Sequence, residues 1–224
     1  MEQKSVKIKR ITSVTHDVRG FTLEKPDGYI YKPGQATSIA INRKGWEERT
    51  RPFTFTGRPE DKYLELIIKI YPGHNGVTAE MAKLKKGDEL LLEEPWGAIN
   101  YRGPGLFIAG GAGITPFISI FRNLAADGEI EGNTLIFANN SSRDIILQNE
   151  LSDLLGEDHF INILAEEKTD KYHHGFITRE FLDEMVPDTK GLFYLCGPPP
   201  MMKAVEGHLK EMGIDSQQVV KEEF

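Results

Sequence analysis

The stretch Gly110-Gly111-Ala112-Gly113-Ile114-Thr115-Pro116 constrains this chain most, because it joins an apolar strand to an apolar helix through three glycines. Leu106 to Ala109 reads as a short buried strand, and Phe117, Ile118, Ile120, Phe121 and Leu124 then recur at helical spacing. Thr115 falls at the expected N-cap and Pro116 in the expected first turn. Glycines at such a turn let a ligand approach the backbone, and the open N–H groups of a helix start favour a phosphate. A nucleotide site is therefore expected here. The dinucleotide fingerprint, G-x-G-x-x-G with an acid about 20 positions on, is met only in part. Pro116 stands where the third glycine belongs. The next strand, Leu135 to Ala138, ends in Asn139-Asn140-Ser141-Ser142-Arg143, with no acid at its tip. A tight strand–helix turn without a ligand would satisfy the same residues, so other motifs must decide.

Residues 1–101 read as short strands separated by turn signals such as Pro26-Asp27-Gly28, Lys32-Pro33-Gly34 and Pro72-Gly73-His74-Asn75-Gly76. Leu64, Leu66, Ile68 and Ile70 fall on one face, with Glu65, Ile67, Lys69 and Tyr71 on the other. A helix over 78–84 interrupts the strands before Leu90-Leu91-Leu92. Beyond Tyr101-Arg102-Gly103-Pro104-Gly105 the pattern alternates. Strands at 106–109, 135–138, 160–164, 192–196 and 218–220 are interleaved with helices at 116–126, 144–155, 178–186 and 199–212. The expected fold class is an N-terminal antiparallel β-barrel, 1–101, followed by an α/β parallel-sheet nucleotide-binding domain, 102–224.

Composition removes several classes of function. Cys196 is the only cysteine, so neither an internal disulfide nor a four-cysteine metal or iron–sulfur site is possible within this sequence. The tandem His173-His174 reads as a solvated pair, and no metal is expected. No apolar run reaches the ~18 residues of a membrane span, and the polar start Met1-Glu2-Gln3-Lys4 lacks a signal-peptide core. A cytoplasmic monomer is the expectation. Residues 1–101 carry 17 basic against 14 acidic side chains, whereas 102–224 carry 10 against 20, which argues against nucleic acid as a partner. The weakly basic first half suits a phosphate or an acidic partner.

Three further motifs stand in order around the glycine turn. Arg51-Pro52-Phe53-Thr54 opens a strand, Gly76-Val77-Thr78 runs from a turn into the barrel's helix with Thr78 as expected cap, and Cys196-Gly197-Pro198-Pro199-Pro200-Met201 follows the fourth strand of the second half. With Gly110 to Pro116, these four motifs resemble the ferredoxin–NADP reductase superfamily of flavoproteins, nearest to its cytochrome b5 reductase and flavodoxin reductase branches, from about residue 4 to Phe224. The run from Leu135 to Leu151 is similar to the cytochrome b5 reductase branch in particular.

The resemblance implies a role for each motif. Arg51 would hold flavin phosphate, and Pro52 belongs to the same motif. Phe53 would stack on the isoalloxazine ring, and Thr54 would bond near the flavin nitrogen that receives hydride. Ile67 and Lys69 would line the ribityl and phosphate path, and Gly76, Val77 and Thr78 would give donors to flavin phosphates. Gly110, Gly111, Gly113 and Thr115 would take the pyrophosphate of the nicotinamide nucleotide. Cys196 and Gly197 would border the nicotinamide, with Pro198 and Met201 counted in the same site, and Glu222 and Phe224 would lie beside the flavin. Thr54, Cys196 and Glu222 are the candidate catalytic residues.

The implied activity is an NAD(P)H oxidoreductase with FAD, or FMN, that passes electrons to a separate soluble carrier such as a ferredoxin or flavodoxin. Lys4, Lys7, Lys9 and Arg10, with Lys83, Lys85 and Lys86, offer such a carrier a basic surface or form an ordinary solvated edge. Two alternatives stay open, a reductase that uses flavin as a passing substrate and a non-catalytic nucleotide-binding subunit. NADH and NADPH are not separated, because Ser142 and Arg143 suit a 2′-phosphate whereas the Asn139-Asn140 neighbourhood resembles an NADH-using branch.

Overall fold

The computed structural model describes residues 3–73, 75–97, 99–186 and 189–221. Glu222 and Phe224, expected beside the flavin, lie outside them. The chain divides into two compact units, one holding residues up to Asn100 together with Thr115–Asn123, the other holding Tyr101–Ile114 and the chain from Leu124 onward.

The first unit is built on β1 (Lys4–Ser13), β2 (Val18–Glu24), β3 (Ala36–Ile41), β4 (Arg51–Thr54), β5 (Tyr63–Lys69) and β6 (Glu89–Leu92), with the short helix α1 (Val77–Met81). The strands run in the order β4-β3-β6-β1-β2-β5, and every neighbouring pair is antiparallel. Alternation explains their two faces: Val6 and Ile8 are 1% exposed, while Lys7 and Lys9 between and after them point to solvent. The two edge strands nearly close on each other. Phe55 bridges Leu66, and Thr56 N donates to Glu65 O at 2.9 Å. Phe21, Leu23, Ile39, Phe55, Leu64 and Leu92, all at 0% exposure, form the centre of this unit's core. The result is the expected antiparallel near-barrel.

The second unit contains β7 (Gly105–Gly110), β8 (Thr134–Asn139), β9 (Phe160–Leu164), β10 (His173–His174), β11 (Leu192–Cys196) and β12 (Val219–Lys221). Helix α2 (Thr115–Asp127) follows β7, and α3 (Gln148–Leu155), α4 (Arg179–Met185) and α5 (Pro199–Glu211) come later in the chain. The strands pair in parallel in the order β10-β9-β8-β7-β11-β12, so the expected parallel α/β sheet is present. From β7 the chain moves outward through β8, β9 and β10, then returns to the other side of β7 as β11. The switch point therefore lies between β7 and β11, at whose carboxyl ends such sheets bind ligands.

Three local expectations need correction. Thr115 is not the N-cap of α2, because a 3₁₀ turn over Gly111–Ile114 runs straight into the helix and Ile114, already helical at φ −67°, takes that position. Thr78 is not the cap of α1 either, since the extended Gly76 precedes a helix that starts at Val77. Helix α3 begins at Gln148 and not at 144. A reciprocal Ser141–Asp144 cap closes a separate 3₁₀ turn first, and Leu147 at φ 51° then breaks the path.

Candidate functional site

In the second unit, the turns after β7 and β11 press against each other, and the glycines are what let them. A methyl group at Gly113 would lie 2.4 Å from the Cys196 carbonyl oxygen. One at Gly110 would lie 2.5 Å from Met201 Sδ, and one at Gly197 2.5 Å from Met201 Cε. These three glycines thus serve loop-on-loop packing. Gly111 differs: it takes φ +51°, and a methyl there would meet nothing within 4 Å. It is the glycine of the motif that leaves open backbone, beside the 3₁₀ start of α2. Cys196 is buried at 7% exposure, whereas Pro198 is exposed and Met201 half-buried. The prolines of the second turn become the first residues of α5, where a missing N–H costs no hydrogen bond.

At the end of β8 the structure supplies an acid that the sequence pattern missed. Ser142 donates its backbone N–H to Glu167 Oε2 at 2.7 Å, and its hydroxyl lies 3.0 and 2.8 Å from the two carboxylate oxygens. The acid comes from the exit of the neighbouring strand β9, held there by Ala165 N to Asn139 O and Glu166 N to Asn140 O, both 2.9 Å. The bonds from the Ser142 N–H and hydroxyl hold the Glu167 carboxyl below the usual glutamate range. Arg143 is exposed beside it. The signal was present as Glu166-Glu167, but one strand further along than the fingerprint looks. Asn139, 8% exposed, keeps a buried Nδ2 without a partner at this same strand end, an orphaned donor that suits a polar ligand such as a nucleotide sugar or base.

In the first unit, Arg51 and Pro52 are exposed at the start of β4, an edge strand that tolerates proline at the position opposite Ser38. The Arg51 guanidinium donates to the Thr50 carbonyl at 2.8 Å. Phe53 is partly buried against the barrel core, and Thr54, half-buried, pairs with Ala36. A methyl at Gly76 would meet nothing within 4 Å, and no side chain caps the first turn of α1. The exposed guanidinium on β4 and, on α1, the uncapped amides and the Thr78 hydroxyl are each donors of the kind that fits phosphate. Ile67 is buried at 6%, outside the barrel's core cluster.

Lys69 carries an ion pair that the sequence alone does not reveal. Its ammonium is ion-paired to Asp17 Oδ2 at 3.0 Å, and Asp17 also accepts from the Thr15 hydroxyl at 3.0 Å. Burial pushes Asp17 up, but the Lys69 and Thr15 bonds outweigh it and hold the carboxyl below its ordinary value. The ammonium thus already has a carboxylate partner within the barrel unit. The basic surface is likewise thinner than the lysine count suggests: Lys4 pairs with Glu94, Lys9 with Glu24 and Lys83 with Glu80.

Known proteins share both halves of this arrangement. The oxidoreductase FAD-binding domain family matches residues 5–101, and the oxidoreductase NAD-binding domain family matches residues 107–207. Over 230 residues the chain is 33% identical to NADH-cytochrome b5 reductase 1 of Aspergillus clavatus, spanning 92% of this chain and 73% of that protein. It is 29% identical over 236 residues to the reductase component of the propane 2-monooxygenase of Rhodococcus jostii, spanning 97% of this chain and 62% of that protein. The FAD/NAD-binding domain of nitric oxide dioxygenase from Vibrio cholerae has the same fold, with a TM-score of 0.88 at 23% identity, over 100% of this chain and 99% of that one.

Proposed function

This chain belongs to the ferredoxin–NADP reductase superfamily, and from that premise we propose that it oxidises NADH in preference to NADPH and delivers the electrons to a separate one-electron carrier protein. It is an NAD(P)H-dependent flavoprotein reductase with FAD as its cofactor. FAD, when bound, would supply the chemistry that takes up a hydride, two electrons with a proton, and releases the electrons one at a time. Arg51, the first-turn amides of α1 and the Thr78 hydroxyl would hold its phosphates, Phe53 would give a ring platform, and Thr54 would offer a hydroxyl to the reacting edge. On the nucleotide side, the open backbone at Gly111 receives the pyrophosphate, and Cys196 borders the nicotinamide.

The Ser142–Glu167 pair carries the preference for NADH. A 2′-phosphate needs donors and positive charge, but both Ser142 donors already point at a carboxylate that is ionised at neutral pH. That carboxylate repels a phosphate and accepts from ribose hydroxyls. The test compares NADH and NADPH oxidation by FAD-loaded protein with ferricyanide as acceptor. NADH is expected to be favoured by about tenfold or more, and Glu167→Gln to narrow the ratio. A parent enzyme that favours NADPH would refute the assignment.

The carrier is proposed to be a soluble ferredoxin- or flavodoxin-like protein. With one cysteine, residues 1–224 themselves offer no ligand set for an iron–sulfur cluster. The named relatives also sit upstream of other redox proteins, a cytochrome b5 in one case and a monooxygenase in the other. Because the barrel lysines are partly paired, carrier reduction should depend only moderately on salt.

A further inference from the structure

We infer that Ser119 and Arg122, which lie outside all four motifs, are positioning residues that hold Thr115 in register with the strand carrying Phe53 and Thr54. The inference rests on the role that the resemblance implies for Thr115, at the pyrophosphate of the nicotinamide nucleotide. Thr115, Ser119 and Arg122 follow one another at four- and three-residue intervals, so they share one face of α2 in an otherwise apolar run. That half of the helix, Thr115–Asn123, belongs to the barrel unit.

The bonds explain why. Ser119 is fully buried, and its hydroxyl donates to the Gly57 carbonyl at 2.7 Å. Arg122 donates to the Thr56 carbonyl at 2.9 Å and to the Glu65 carboxylate. Thr56, also fully buried, donates its hydroxyl to the same Glu65 oxygen at 3.0 Å. Thr56 and Gly57 continue directly from Thr54. Gly34, at φ +90°, also borders this helix: a methyl there would lie 2.3 Å from the Ile99 carbonyl oxygen and 3.4 Å from Ile120 Cδ1.

A buried hydroxyl and a largely buried ion pair are costly unless their partners are met, so they permit one placement of the helix and penalise its neighbours. An apolar face alone would tolerate sliding. The Ser119–Gly57 and Arg122–Thr56–Glu65 bonds thereby fix where Thr115 stands relative to Phe53 and Thr54 without touching either ligand.

The experiment uses the full chain loaded with FAD and compares Arg122→Met, Ser119→Ala, Arg122→Lys and Thr115→Ala. The readouts are FAD occupancy, the visible circular dichroism of the bound flavin, and its rate of reduction at saturating NADH. Arg122→Met is expected to keep FAD, change the dichroism and slow reduction about tenfold, with little change in half-saturation by NADH; Arg122→Lys recovers part of the rate. A variant that melts lower but reduces at the parental rate with unchanged dichroism reduces Arg122 to a structural residue and overturns the inference. Should Arg122→Met fail to fold, Ser119→Ala, which removes a single bond, is read by the same criteria. Thr115→Ala separates the two levels. If it leaves reduction unchanged, the reading of Thr115 falls and the inference with it. If it slows reduction while Ser119→Ala and Arg122→Met do not, only the positioning claim falls.

Discussion

Single charges decide the two ligand sites in the proposed reaction. Glu167 is held ionised by Ser142, so its folded pKa lies below the ordinary glutamate value of 4.5. The sign follows directly: a depressed carboxyl keeps its charge above that value and loses it as the pH falls through the lowered one. Titration of Glu167 itself should therefore leave the NADH/NADPH ratio unaltered down to about pH 5 and shrink it only in more acidic buffer, whereas the 2′-phosphate, which takes up a proton at pH ~6, adds a change of its own. A ratio that changes between pH 6 and 8 would point to another group. On the barrel side, Arg51→Ala should weaken FAD retention about 10- to 100-fold, the cost of one charge-assisted phosphate contact, while NADH binding measured with a non-reducing analogue stays unchanged. Unaltered flavin content in the purified variant would contradict the role. Lys69 shows the limit of reading charge from sequence, because its neutralising partner Asp17 stands 52 residues away in the chain and becomes a neighbour only through the β2–β5 pairing.

Individual elements were legible where periodicity and turn chemistry agreed. The strands β9 and β11 run where the apolar runs placed them, and β7, β8 and β12 differ at their ends by one residue. What the sequence could not show was how elements terminate against one another. The two-residue β10 carries no apolar pattern, and α3 starts late because a side-chain cap outcompetes helix continuation. The glycine turn was recognised, but not the division of labour within it, since that depends on Met201 and Cys196 from a distant turn. This division is testable. Gly113→Ala should cost about 1–3 kcal/mol in thermal or denaturant unfolding, because the Cys196 carbonyl belongs to backbone that cannot move aside easily. Gly111→Ala should cost about 1 kcal/mol through its positive φ alone, yet impair NADH binding the more of the two per unit of stability lost. Equal effects on binding would place the pyrophosphate elsewhere.

At the scale of the whole molecule, the chain is two cores with different charge, a near-neutral barrel and an acidic parallel-sheet unit, each folding around its own buried cluster. Ligand linkage should therefore be visible in stability. FAD added to stripped protein at about 100 times its dissociation constant contributes about 2.7 kcal/mol, a rise of about 5–10 °C in melting temperature. Riboflavin, which lacks the phosphates that Arg51 and α1 are proposed to hold, should produce little of that shift, and an equal shift would move the binding energy to the ring alone. Among the described residues no helix is long and apolar enough to cross a membrane. The central claim is that this chain moves a hydride from NADH onto its own FAD. It is tested most directly by mixing FAD-loaded protein with NADH or NADPH without oxygen in a stopped-flow spectrometer. The account predicts rapid bleaching of the flavin band by NADH and a slower response to NADPH. A protein that retains FAD yet stays oxidised with both coenzymes would contradict it.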